Sequence, residues 1–159
     1  MFRIRGRRME RLRLRRERFK RARVNQIIPN ALTVAALCAG LTAIRFALGG
    51  RWDLAVFAIV AAGILDGLDG RLARLLNATS KFGSELDSLS DFVSFGVAPV
   101  VIVYMWTLHG LGGAGWAVVL LFAVCCALRL ARFNTALGDP NPPPWAGLYF
   151  TGVPAPAAA

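Results

Sequence analysis

The sequence predicts an all-α fold, an integral-membrane helical bundle of four spans followed by a truncated fifth. Three observations carry this expectation. Hydrophobic residues make up 56% of the 159-residue chain and charged residues only 18%, with a mean hydropathy of +0.52, a membrane-protein balance. The apolar residues gather into four segments, roughly 27–50, 52–74, 86–108 and 115–136, each near the ~20 residues that cross a ~30 Å hydrocarbon core. The breaks between them, "GGRWD", "NATSKFGS" and "HGLGGA", are short and rich in turn formers, which suits antiparallel helical hairpins.

Ahead of the first span, residues 1–24 hold twelve Lys/Arg against two Glu, whereas the rest of the chain holds seven of each sign. The whole formal charge of +10 therefore belongs to one basic segment. It is not read as a secretory signal, because the span after it is too long and lacks a small-residue cleavage site. Two readings stay open. Phe2, Ile4, Met9, Leu12, Leu14 and Phe19 lie scattered among the arginines, as in an imperfectly amphipathic helix on anionic headgroups, at ~1 kcal/mol per basic residue. The other is a disordered topogenic tail. Nucleic acid is not an expected partner, since the segment has no aromatic interleaving beyond Phe2 and Phe19.

The bias of Lys and Arg toward the cytoplasm places this segment inside. Span two then returns inward, and Arg71, Arg74 and Lys81 fall between spans two and three, while Arg129 and Arg132 close span four on the same side. Beyond it, the prolines of "LGDPNPPPWAGLYF" exclude regular helix. "TGVPAPAAA" reads as the opening of a further span, so the membrane-embedded domain, 25–159, is expected to be incomplete at its C-terminus.

Against this apolar background the stretch "LDGLDGRLARLLNATSKFGSELDSLSD" places four aspartates at one membrane level. Asp66 and Asp69 lie near the cytoplasmic end of span two, and Asp87 and Asp91 near the cytoplasmic start of span three. At about 100° per residue, Asp66, Asp69, Gly70 and Ala73 share one helix face, as do Gly83, Asp87 and Asp91. Ordinary solvated helix-end charges are a weak account, because each Asp inside the apolar region costs ~2.5–3.5 kcal/mol. Two carboxylates ~4 Å apart also repel by up to ~4 kcal/mol at an effective dielectric near 20. Converging carboxylates with small residues between them suit hard divalent cations such as Mg²⁺ or Mn²⁺, and a two-metal site for phosphoryl chemistry follows.

The spacing Asp66-x2-Asp69-Gly70-x2-Ala73-Arg74-x8-Gly83-x3-Asp87-x3-Asp91 resembles the signature of the CDP-alcohol phosphatidyltransferases, integral-membrane enzymes that displace CMP from a CDP-activated lipid with an alcohol. The resemblance implies that Asp66, Asp69 and Asp87 ligate two divalent ions, and that Asp91 joins the second metal and acts as general base. It further implies that Gly70, Ala73 and Gly83 leave room for CDP-diacylglycerol and that Arg74 contacts its diphosphate. Ser80, and Asn30 with Thr33 in "PNALT", are further nucleotide contacts or, equally, helix-capping residues. A homodimer in the bacterial inner membrane, with its site at the cytoplasmic face, is implied in the same way.

"SDFVSFGVAP", "ALRLARFN" and "FTGVPAPAAA" resemble the branch of the family that accepts L-serine. Arg129 and Arg132 are candidates to hold the serine carboxylate or a lipid phosphate, against the alternative of ordinary cytoplasmic-side charge. Two rivals stay open: the same chemistry on glycerol phosphate or inositol phosphate, and a non-enzymatic ion-binding or transport protein. Cys38, Cys125 and Cys126 show no metal-ligand spacing and imply no disulfide. His109 falls at the outer break, on the wrong side for this chemistry, and Trp52, Trp106, Trp116 and Trp145 flank spans as interfacial aromatics do.

Overall fold

In a computed structural model, which describes residues 26–76 and 78–137, the described chain is almost entirely helical. Helix α1 spans Gln26–Leu48 and α2 spans Trp52–Leu75. Helix α3 runs Lys81–Trp106 and contains a π-helical stretch, Phe92–Val97. A 3₁₀ turn, Leu108–Leu111, leads into α4, Gly113–Leu137. The basic segment 1–24 and the expected fifth span lie outside the described residues.

Each connection has a local cause. Gly50 takes a left-handed φ of 69° and donates its N–H to Ala47 O at 2.9 Å, while Arg51 N–H reaches Phe46 O at 3.0 Å. This is a Schellman end, with an αL residue that glycine adopts without strain. The side-chain contact that accompanies such ends is here the Arg51 guanidinium 5.6 Å from the centre of the Phe46 ring. Between α2 and α3, Ser80 is extended and accepts the Gly83 N–H at 3.0 Å, an N-cap that satisfies one of the orphan amides of the first turn. Because of that cap α3 starts at Lys81, five residues before the apolar run expected to open the third span. Gly112, with φ 57°, closes the 3₁₀ turn.

Three of the four expected spans, α1, α3 and Gly113–Ala136 of α4, are long and apolar enough to cross a membrane. Helix α2 has the length, 24 residues, but Asp53, Asp66, Asp69, Arg71 and Arg74 make it more polar. The residues that disqualify it by composition are largely those that build the site.

The core is made largely of small residues. On α1, Thr33, Ala36, Gly40, Ala43 and Ala47 are buried, at alternating separations of three and four, which forms one stripe along the helix. Ala55, Ala58 and Ala62 do the same on α2. Large side chains point outward instead: Phe57 is 72% exposed and Leu121 66%. Water would penalise that surface, but lipid does not, and helices in a bilayer associate through close contact of small residues. The α1–α3 seam is the tightest case. Ser94 Oγ donates to Ala36 O at 3.4 Å and Ser90 Oγ to Thr33 O at 3.2 Å. Such bonds average only ~0.6 kcal/mol each in a membrane, so they orient the pair while close packing holds it.

Gly40 shows how little room remains. A Cβ at this position would lie 2.8 Å from Ser94 Cα and 2.9 Å from Ser94 Cβ. Gly40→Ala must therefore push α1 from α3, and overpacking of this kind costs ~1–3 kcal/mol. We expect a lower unfolding temperature in detergent for this variant; an unchanged one would show that the seam yields freely.

At the opposite end from the aspartates the helices close over aromatics. Trp52 stacks on Trp106 with ring centres 6.4 Å apart, and Tyr104 meets Trp116 edge-on at 5.4 Å. Just inside, Ala43, Ala47, Ala55, Ala58 and Ile102 form a cluster flanked by Phe46, Trp52, Ile59 and Met105. Amphipathic rings are enriched at membrane–water interfaces, and here they gather at the end of the bundle away from the aspartates.

Candidate metal and nucleotide site

The end of α2 and the start of α3 bring three of the four aspartates together. Asp66, Asp69 and Asp87 each offer an oxygen, and these atoms all lie within 4.8 Å of one another. Asp91, one turn further along α3, falls outside that set, beside Asp66. Its Oδ1 is buried and has no hydrogen-bond partner among the described residues. Buried carboxylate oxygens without partners, next to other carboxylates, are costly unless a cation joins them. An all-oxygen donor set of this kind fits a hard divalent ion.

Asp69 is the least solvent-exposed of the group, at 3%. Its Oδ2 accepts a hydrogen bond from Thr33 Oγ1 at 2.6 Å. Thr33 thus sits behind the acid cluster on α1, buried at 4% exposure, and its hydroxyl is turned to a carboxylate.

The glycines of the motif divide into two kinds. A Cβ on Gly70 would meet only the tip of Arg74, at 4.0 Å, and one on Gly67 would meet nothing within 4 Å. This face of α2 is open. At Gly83 a Cβ would lie 3.0 Å from Asn30 Oδ1 and 3.1 Å from Ser80 Oγ, so glycine here lets α1 seat Asn30 against the first turn of α3. Asn30, Ser80 and Gly83 form one group, in which Ser80 acts as the helix cap. Ala73 is half-buried, and exposed Arg74 folds its Nε–H back onto Gly70 O at 3.1 Å.

Helix α4 packs along α3. A Cβ on Gly96 would come 2.9 Å from Cys126 Sγ, and Asn134 Nδ2 donates to Ser88 Oγ at 3.0 Å. Cys126 and Asn134 therefore mark the side of α4 that faces α3. Arg129, three residues from Cys126, stays near that side and is half-buried, whereas Arg132, two residues from Asn134, is turned away and exposed. The two arginines, equivalent by sequence, are not equivalent in space.

Four polar residues near the site escape a reading of the sequence. Ser90 and Ser94 bind α1, and Ser88 with Asn134 ties α4 to the helix that carries Asp87 and Asp91. A serine at 90 and again at 94 is a visible i, i+4 signal, but nothing in the sequence names the helix that receives it. For Asn134 the signal is one amide at the end of α4, close to Arg129 and Arg132.

Comparison with known proteins agrees with this geometry. The family model for CDP-alcohol phosphatidyltransferase matches residues 26–159. A protein of Mycobacterium leprae, named CDP-diacylglycerol–serine O-phosphatidyltransferase, is 52% identical over 144 residues, covering 91% of this chain and 48% of its own length. Proteins of the same name are 53% identical in Mycobacterium tuberculosis, over 84% of this chain and 46% of the relative, and 45% identical in Helicobacter pylori, over 84% and 54%. The chain thus spans about half the length of these relatives. No solved structure matches it. With the family model matched over nearly all of the chain that follows the basic segment, and its signature aspartates gathered at one end of a helical bundle, the protein belongs to the CDP-alcohol phosphatidyltransferase family.

Proposed function

We propose that the protein transfers a phosphatidyl group from CDP-diacylglycerol to L-serine, giving phosphatidylserine and CMP. The observation that carries this reading is the cluster of Asp66, Asp69 and Asp87 oxygens beside the unpartnered, buried oxygen of Asp91. The serine acceptor is supported by the names of the relatives at 45–53% identity. Asp66, Asp69 and Asp87 would hold the divalent ions, Mg²⁺ or Mn²⁺, and Asp91 would join them as a further ligand. When bound, such ions neutralise the diphosphate and polarise the attacked phosphorus.

The chain's own residues do the rest. Asp91 takes the proton of the serine hydroxyl as its oxygen bonds to the lipid-bearing phosphorus, and the bond from that phosphorus to the bridging oxygen breaks to release CMP. The open face at Gly70, with Ala73 beside it, admits the nucleotide close to the α2 backbone. Arg74 swings from Gly70 O to the diphosphate. Asn30, Ser80 and Gly83 border the nucleotide from α1 and the α2–α3 turn. Of the two arginines on α4, half-buried Arg129 suits the serine carboxylate, and exposed Arg132 suits a lipid phosphate or the cytoplasmic interface. The site faces the cytoplasm of a bacterial inner membrane, the protein is a homodimer, and the basic segment 1–24 engages anionic headgroups.

The test is CMP release from CDP-diacylglycerol with serine, glycerol phosphate and inositol phosphate offered in parallel. Release that depends on serine is the expected result. Release only with a phosphorylated acceptor moves the protein to another branch of the family.

A further inference from the structure

We propose that Thr33 is a positioning residue for the acid cluster, its hydroxyl fixing the carboxylate of Asp69 and so setting how tightly the cluster holds a divalent cation. The inference rests on the metal reading above and adds a residue on α1 that acts through a ligand rather than on the nucleotide.

Thr33 Oγ1 has two acceptors within reach, Asp69 Oδ2 at 2.6 Å and Pro29 O at 3.1 Å, but only one proton to give. Length and charge both favour Asp69. Hydroxyl bonds to an ionised oxygen fall at ~2.5–2.7 Å and are about twice as strong as neutral ones. The choice matters because Thr33 and Asp69 are 4% and 3% exposed, so water is poorly placed to replace the donor. An ionised oxygen left unpaired there bears its full desolvation cost.

The donor is itself held in place. Thr33 is β-branched and in a helix, which restricts its side-chain torsion, and its carbonyl oxygen receives Ser90 Oγ from α3 at 3.2 Å. Ser90 immediately precedes Asp91. One residue of α1 is therefore bonded to α2 through its side chain and to α3 through its backbone, between the two helices that supply every carboxylate of the site. Groups that orient a metal ligand in this way typically contribute ~10–100-fold in metal affinity or activity.

The experiment uses the 159-residue chain in lipid nanodiscs. Mn²⁺ is titrated and the free ion is followed by electron paramagnetic resonance, with thermal unfolding in the absence of metal recorded alongside. Thr33→Val is expected to weaken Mn²⁺ binding by about 10–100-fold, and Thr33→Ser, which keeps the hydroxyl, to bind as the parent does. In an Asp69→Asn background Thr33→Val should change nothing further. Thr33→Ala replaces the valine variant if that one does not fold. Parent-like Mn²⁺ affinity in the hydroxyl-free variant, with or without a lower unfolding temperature, overturns the proposal, as does a serine variant as weak as valine. Unchanged binding in Asp69→Asn alone overturns the metal reading itself, a different result from a normal Thr33→Val beside a defective Asp69→Asn.

Discussion

Asp91→Asn should lower turnover by about 10²–10⁴-fold, the range a positioned general base supplies, while CDP-diacylglycerol still binds. The reason lies in the division of the acids. Asp66, Asp69 and Asp87 form a set of converging oxygens without Asp91, so a metal and the diphosphate keep their ligands when Asp91 loses its charge. Asparagine fills the same volume, and the fold is not at risk. What it lacks is the basicity to accept the serine proton. The measurement is serine-dependent CMP release at saturating metal, paired with a binding isotherm for CDP-diacylglycerol. Near-normal turnover removes Asp91 from the base role; lost binding with lost turnover makes it a ligand first.

Metal removal should abolish activity outright. Three acid side chains with oxygens within 4.8 Å of one another are a poor anion site by themselves: each pair repels by up to ~4 kcal/mol at an effective dielectric of 20, and a diphosphate would add to that repulsion. Activity lost to a chelator should return with Mg²⁺ or Mn²⁺ and only weakly with Ca²⁺, whose bonds of ~2.3–2.6 Å exceed the ~2.0–2.1 Å of Mg²⁺ and misplace the phosphates. CMP release by a preparation shown to be metal-free would sink the two-metal reading.

The parts of this protein legible in its sequence are those governed by contrast within a short window. Four aspartates in an apolar stretch stand out because their burial is costly, and their spacing alone assigns them to two helix faces. The hairpin turns at Gly50 and Gly112 are likewise local, each set by a glycine with positive φ. The start of α3 is harder to read, since the apolar run begins at Leu86 whereas the cap that starts the helix is Ser80. The Thr33–Asp69 and Ser88–Asn134 bonds join residues 36 and 46 apart. Their partners are chosen by how helices pack, which no window of sequence contains. Arg129 and Arg132 differ for the same reason: both are basic and close together, and only the line of contact with α3 tells them apart. The π-helical stretch of α3 is invisible to hydropathy, which does not register a change of one residue in helical phase.

That stretch, Phe92–Val97, begins directly after Asp91. A π turn takes in more residues than an α turn, so α3 is two α-helical halves set out of phase with each other. The first half is indexed to the acid cluster and to Thr33 on α1. The second is indexed to the apolar cluster between α1 and α2, where Ile102 packs among Ala43 and Ala47 of α1 and Ala55 and Ala58 of α2, and to the aromatic end, where Trp106 meets Trp52. Within the offset itself Ser94 and Phe95 are adjacent and both fully enclosed, one bonded to α1 and the other packed on Ala62 of α2. The offset works like a spline between two shafts: the acidic end and the aromatic end each keep their own angular setting, with the π stretch between them.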